Sequence, residues 1–188
     1  MHEPPHTTTV RTLVRDVLEA AITASVLFVV LRLVVQNTIV DGPSMEPSLV
    51  DGQWLLVNKI AYRFGAPARG DVIVFDAPDG SDKEFIKRVI GLPGETVALR
   101  GGRVTIDGEP LTEAWLPRFD DSAFGPYTVP RDAFFVLGDN RPRSNDSRSW
   151  QGDASALRMD AIIGQAWLSV WPLSRWGVVG SDGPGPGS

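Results

Sequence analysis

The stretch that most limits what this chain can be is residues 17–35, VLEAAITASVLFVVLRLVV. Its length comes close to the roughly 20 residues a helix needs to cross about 30 Å of hydrocarbon. The uncharged core runs from Ala20 to Leu31, and Glu19 and Arg32 stand near the ends, where long side chains reach an interface. A buried core helix and a cleaved secretory leader both carry apolar runs of this kind. Here, however, no small-x-small cleavage site follows the run, only Val35, Gln36 and Asn37. The expectation is a short cytoplasmic N-terminus and a retained membrane anchor over residues 1–36. Arg11 and Arg15 ahead of the run favour a cytoplasmic N-terminus, although Arg32 beyond it weakens that bias. Residues 37–180 then form one domain outside the cytoplasm. The Gly/Pro-rich end SDGPGPGS, residues 181–188, reads as a disordered tail.

Composition narrows the chemistry. The chain has 18 Lys+Arg against 23 Asp+Glu, a formal charge of −5. That argues against a nucleic-acid partner, which needs a basic surface to displace phosphate counterions. The absence of Cys excludes disulfides, thiolate catalysis and Cys-ligated zinc. Both histidines, His2 and His6, precede the anchor and would lie across a bilayer from the main domain. This argues against a Ser-His-Asp site and a His-ligated metal. The lysines are Lys59, Lys83 and Lys87, and every other cation is Arg, which keeps its proton. A hydrolase here must take its base from Lys, Asp or Glu, and neither a metal nor another cofactor is implied.

The main domain reads as strands. Residues 53–57, 71–75, 84–90, 96–100, 103–106, 133–137 and 161–170 are short, apolar or alternating, and bounded by Gly, Pro, Asp or Asn. Arg100-Gly101-Gly102-Arg103 is a two-residue hairpin turn and Asp107-Gly108 a second turn signal. Residues 65–70 and 77–82 read as loops, residues 153–157 as a short helix capped by Asp153, and residues 110–130 as an excursion without clear period.

Three clusters could carry chemistry. GPSMEPSL, residues 42–49, brackets Ser44 between prolines with Gly42 ahead of it, a rigid loop able to fix a hydroxyl, though such loops are commonly plain turns. In KEFIKRVIGLPGE, residues 83–95, strand alternation puts Phe85, Lys87 and Val89 on one face and Ile86, Arg88 and Ile90 on the other. Burial of Lys87 among apolar neighbours would lower its pKa and let it take a proton from a serine; an edge-strand lysine guarding against aggregation gives the same sequence. LGDNRPRSNDSRSW, residues 137–150, is a loop dense in hydroxyls and charge. Arg141 and Arg143 stand where a calcium loop would need oxygen ligands.

In this order behind one N-terminal anchor, the clusters resemble the bacterial type I signal peptidases, or leader peptidases. SMEPSL is similar to that family's nucleophile box and GDVIVF (residues 70–75) to its next core strand. KRVIGLPGE (residues 87–95) is similar to its lysine box, GDNRPRSNDSR (residues 138–148) to its last box, and WPLSRWG lies near the C-terminus as it does in the family. The resemblance covers most of residues 12–177. It implies a mainly β, complex antiparallel fold with one N-terminal transmembrane helix. The implied activity is a membrane-bound Ser-Lys endopeptidase, its catalytic domain on the extracytoplasmic side of the bacterial plasma membrane, removing signal peptides from exported preproteins after small residues. Ser44 would be the nucleophile, Lys87 the general base and Ser144 the hydroxyl that orients the lysine. Asp139, Arg141, Asp146 and Arg148 would brace the last box, paired with each other or with Arg88. Substrate would lie extended between the strand before the serine and the strand of the lysine, with Thr38, Val40, Met45, Phe85 and Ile86 lining shallow pockets. One departure stands out. Some members carry a serine two residues before the nucleophile to help hold the oxyanion, and this chain has Gly42. The oxyanion hole is then expected to rest on backbone N–H groups, that of Ser44 first, with a geometry that Gly42 permits. Two other readings stay open at this level: a self-cleaving Ser-Lys repressor and a non-enzymatic single-pass adaptor.

Overall fold

The computed structural model describes residues 10–116, 120–150 and 155–180. The tail 181–188 and the first two residues of the expected helix at 153–157 lie outside them; of the other three no α-helix forms, and Leu157 is already strand. The chain divides into two units between Val35 and Gln36.

The first unit is one helix, α1 (Val10–Val34), 25 residues long and apolar enough to cross a membrane. At 1.5 Å per residue it exceeds the roughly 30 Å of a hydrocarbon core. It starts before the apolar run because Val10, Leu13 and Val14 extend the apolar content and Arg15 pairs with Glu19 one turn on, at 3.6 Å. The hydroxyls of Thr23 and Ser25 each donate at 2.8 Å to the carbonyl four residues back, Glu19 and Ala21, so these polar groups are satisfied within the helix. None of its side chains is buried within the structure. The helix ends one residue short of the apolar run's end, since Val35 already opens a strand whose sequence, VQNTI, is rich in β-branched residues.

The second unit is antiparallel β. Eight strands make the main sheet: β1 (Val35–Ile39), β2 (Trp54–Asn58), β3 (Val72–Asp76), β4 (Glu84–Gly91), and then, past the small sheet, β9 (Ala133–Leu137), β10 (Leu157–Arg158), β11 (Ile162–Trp171) and β12 (Gly177–Val178). Their order is β1-β2-β11-β3-β4-β9-β10, with β12 on β11. Residues 72–75 of β3 alternate cleanly: Val72 and Val74 enter one core with Val40, Met45, Leu55 and Ile86, while Ile73 and Phe75 enter a second with Val89, Phe134 and Val136. A strand buried on both faces reads as an unbroken apolar run, as VIVF does.

The small sheet, in the order β7-β6-β5-β8, joins β5 (Thr96–Arg100), β6 (Arg103–Ile106), β7 (Glu109–Pro110) and β8 (Phe124–Thr128). Its two hairpins turn on Gly101-Gly102 (φ 55° and 69°) and Asp107-Gly108 (φ 52° and 88°). Positive φ at both central residues is the primed turn whose twist suits a two-residue hairpin. A third core, with Ile90, Val97, Leu99, Val104, Phe135 and Leu137, locks this sheet onto β4 and β9. The stretch 110–130 is an excursion from the main sheet, and an ordered one over its described residues: β7 and β8 pair within the small sheet and Trp115 is buried in that core.

Candidate active site

The serine loop is fixed from inside. After β1 the chain turns at Gly42 (φ 84°), where added side-chain bulk would meet open space; the backbone angle is what favours glycine there. Pro43 C=O accepts from the Glu46 amide at 3.1 Å and Met45 C=O from the Leu49 amide at 2.9 Å. Met45 and Leu49 are buried in the core beside Val40 and Ile86. Ser44 thus sits between apolar anchors, and its carbonyl accepts from the Asn140 amide at 3.0 Å.

Strand β4 brings Lys87 to this loop. Its Nζ donates to Ser44 Oγ at 2.8 Å and to Ile86 C=O at 2.9 Å, with the Phe85 ring centroid 5.3 Å away. The residue is 4% exposed. Among the described residues it makes no ion pair. Burial pushes the amine down to about 8, against a weaker opposing pull from Asp146 and Asp139. A lysine in that range holds a useful neutral fraction near neutrality.

The loop after β9 supplies the frame. Asp139 takes a bidentate grip from Arg88, Nε to Oδ1 at 2.9 Å and Nη2 to Oδ2 at 2.7 Å, with both side chains almost wholly buried. Asp146 accepts from the Gly138 amide at 3.0 Å and from Arg148 Nε at 2.9 Å. Gly138 cannot be larger: a Cβ there would stand 2.2 Å from Ser144 Oγ and 2.5 Å from the Ser44 carbonyl oxygen. The need for glycine lies in how closely this loop approaches the serine.

A cleft of about 220 Å³ opens beside Ser44 and Lys87. Thr38, Val40, Met45, Phe85 and Ile86 all line it, joined by Glu84, Arg143 and Asn145, which the sequence did not assign to the substrate site. Glu84 is fixed by Gln36 Nε2 at 2.7 Å and Thr38 Oγ1 at 3.2 Å.

The sequence matches the family described as "Signal peptidase, peptidase S26" over residues 14–171. The chain belongs to the S26 signal peptidase family. It is 44% identical to signal peptidase I of Leptolyngbya laminosa over 75% of this chain and 71% of the relative. A probable signal peptidase I-1 of Synechocystis is 41% identical over 84% and 83% respectively, and signal peptidase I P of Bacillus subtilis subsp. natto 38% over 81% and 88%. The protein is accordingly a serine peptidase, a hydrolase of signal peptides, on an antiparallel β-fold behind one apolar helix.

Three details of the site differ from what the family boxes suggested. Ser144 makes no bond to Lys87: its Oγ is buried without a hydrogen-bond partner among the described residues, packed over Gly138, while the lysine amine turns to Ser44 and Ile86. Gly42 offers no free donor, because its amide is committed to Asp51 Oδ1 at 2.8 Å. Arg141 pairs neither with Asp139 nor with Asp146. Its guanidinium donates from Nη2 to Glu113 and from Nε to the Gly138 carbonyl at 3.1 Å. Glu113 lies in LTEAWL, residues 111–116, and an acid inside an apolar run was the signal available for it.

Proposed function

We propose that Ser44 and Lys87 are the catalytic pair, and that this enzyme cuts signal peptides from exported preproteins on the extracytoplasmic face of the plasma membrane. The observation that carries the reading is the 2.8 Å contact between Ser44 Oγ and an amine that is buried with no carboxylate paired to it among the described residues. Neutral Lys87 takes the hydroxyl proton as Ser44 Oγ attacks the scissile carbonyl. The resulting ammonium gives that proton to the leaving amine, which departs with the mature protein and leaves the signal peptide as an ester on Ser44. Lys87 then deprotonates a water, which releases the signal peptide as a carboxylate and restores the serine. For the oxyanion, the Ser44 amide is the available donor: no described residue accepts from it, whereas the Gly42 amide is occupied. Ser144 keeps an uncommitted hydroxyl beside the Ser44 carbonyl and suits an orienting role toward the ammonium.

Substrate has an obvious berth. Strand β1 ends the main sheet, and β4 is paired by β9 only from Arg88 onward, so residues 84–87 are paired on the β3 side alone. An extended peptide lying between β1 and this half of β4 would find backbone partners on both sides and meet the cleft lined by Thr38, Val40, Met45, Phe85 and Ile86. The cleft is small, which favours small side chains next to the cut. Ser44 lies nine residues past Val35, at most roughly 30 Å of extended chain from the end of the apolar segment. Exposed Trp54, Trp167, Trp171, Leu173 and Trp176 suit a bilayer interface as partner surface. A non-enzymatic adaptor gives no reason for a buried lysine against a serine hydroxyl. The test is to incubate the purified protein with a signal-bearing preprotein and sequence the N-terminus of the product. Cleavage after a small residue, abolished in Ser44→Ala, is expected; uncleaved preprotein, or cleavage by Ser44→Ala, overturns the reading.

A further inference from the structure

The hydrogen bonds that hold the Ser44 carbonyl do not end at the loop that makes them. Asn140, whose amide grips that carbonyl, is followed by Arg141, a buried guanidinium. Arg141 ties the loop together by donating to the Gly138 carbonyl at 3.1 Å and by accepting, on its own carbonyl, Arg148 Nη2 at 2.6 Å. Its charge is met from outside the loop, by Glu113, and its Nη1 reaches the Gly102 carbonyl at 3.4 Å. Glu113 and Gly102 both belong to the small-sheet region: Gly102 is the β5–β6 turn, and Leu111, two residues before Glu113, bonds back to Val104 of β6 at 2.9 Å. Two residues further on, the Trp115 ring lies 4.7 Å beneath the Arg88 guanidinium, whose carboxylate partner Asp139 is in the same loop. One short segment, residues 113–115, therefore presses on both arginines that position the loop.

The chemistry of this contact is costly for a purely structural role. The Glu113–Arg141 pair is almost fully desolvated, and Glu113 Oε2 and the Trp115 indole nitrogen are buried without hydrogen-bond partners among the described residues. A buried ion pair is commonly no more stable than an apolar pair of similar volume, so its use points to geometry rather than to stability. We infer that Glu113 is a positioning residue for catalysis, acting through Arg141 on residues 138–140 and so on the Ser44 carbonyl. The small sheet then does more than pack against β4 and β9; it sets the register of the serine against the lysine. The inference rests on the Ser44–Lys87 reading given above.

The decisive variant is Glu113→Leu combined with Arg141→Met. It leaves no unpaired buried charge, so it is expected to unfold near the native temperature, the relieved burial of two charges offsetting the hydrogen bonds that Arg141 gives the Gly138 and Gly102 carbonyls. Its kcat on a preprotein should nevertheless fall about ten-fold with KM within two-fold, because a misplaced nucleophile affects the chemical step. Glu113→Gln should lower kcat similarly, and adding it to Arg141→Met should cost nothing more if the two act as one unit. Glu95→Gln, at the partly buried Arg69–Glu95 pair that does not touch the loop, serves as control and keeps the native kcat. A double variant with native kcat overturns the proposal, as does a loss of rate that Glu95→Gln reproduces at equal loss of stability. Ser44→Ala is run beside them. Activity surviving in Ser44→Ala would sink the catalytic pair itself, whereas native kcat in the double variant with dead Ser44→Ala sinks only the role of Glu113.

Discussion

Lys87 and Arg88 are consecutive residues of one strand, both buried cations, on opposite faces of β4, and their surroundings could hardly differ more. Arg88 has a bidentate carboxylate in Asp139, the carbonyl of Gly70 at 2.8 Å and the Trp115 ring below it. Lys87 has a hydroxyl, one carbonyl and no ion pair among the described residues. A buried cation given a carboxylate stays charged and serves as a strut. One denied a carboxylate is held partly neutral and can serve as a base. Residue type contributes too, since a guanidinium keeps its proton in either place and an ammonium does not.

The most severe way to break this comparison is to give Lys87 the permanence of its neighbour. Lys87→Arg should lower kcat/KM by about 10⁵-fold or more, in line with removing one member of a catalytic unit, while circular dichroism remains native. Retained cleavage would mean that another group is the base. Next in size is the reverse change, leaving Arg88 without its carboxylate. Asp139→Asn should cost about 3–5 kcal/mol in urea unfolding, the expected loss when one partner of a buried pair is removed. A cost below about 1 kcal/mol would show that this pair is no strut.

How much of this was legible in the sequence depends on the range of the interaction that decides it. Strands β5 and β6 lie where alternation and turn residues put them, and β9 where its short apolar run does, because these signals are local. Strand β8 was not legible: FGPYT contains a glycine and a proline, and it is a strand because β5 pairs with it. Ser44, Lys87, Arg88 and the acids of the last box were legible as motifs, and the alternation of β4 assigned Lys87 and Arg88 their opposite faces. Glu113 escaped because its partner Arg141 lies 28 residues on, in the turn after β9, and no spacing rule connects them. Gly138 stood within a recognised box, yet its reason is the backbone of Ser44 pressing against it, which only the folded chain reveals.

The same pair of neighbours should respond oppositely to one substitution. Arg88→Met strands Asp139 and should destabilise. Lys87→Met removes an amine that folding holds below its usual 10.5, at about 8. Below pH 8 the lysine is charged in both the folded and unfolded chain, and the folded state bears the full burial penalty. Between pH 8 and 10.5 the folded lysine is neutral while the unfolded one is still charged, so the penalty shrinks; above 10.5 it is gone. Lys87→Met should therefore stabilise by up to about 3 kcal/mol at pH 7, less what its two lost hydrogen bonds contributed, and by progressively less on titration toward pH 10.5. A gain that does not depend on pH would assign the effect to packing.

The smallest expected effect is the native rate profile, and it sharpens the contrast without any mutation. If neutral Lys87 is the base, kcat/KM rises about ten-fold per pH unit on the acid side and levels off above pH 8, the value to which burial lowers the free amine. The sign follows from which form works: protonation removes the base, so rate is lost as pH falls. A single ionisation near 8 in kcat/KM, absent from the binding of an inert substrate analogue, is the expected result. A limb near pH 4 would transfer the base to a carboxylate, and one near 10.5 would show that Lys87 is not desolvated in the working enzyme.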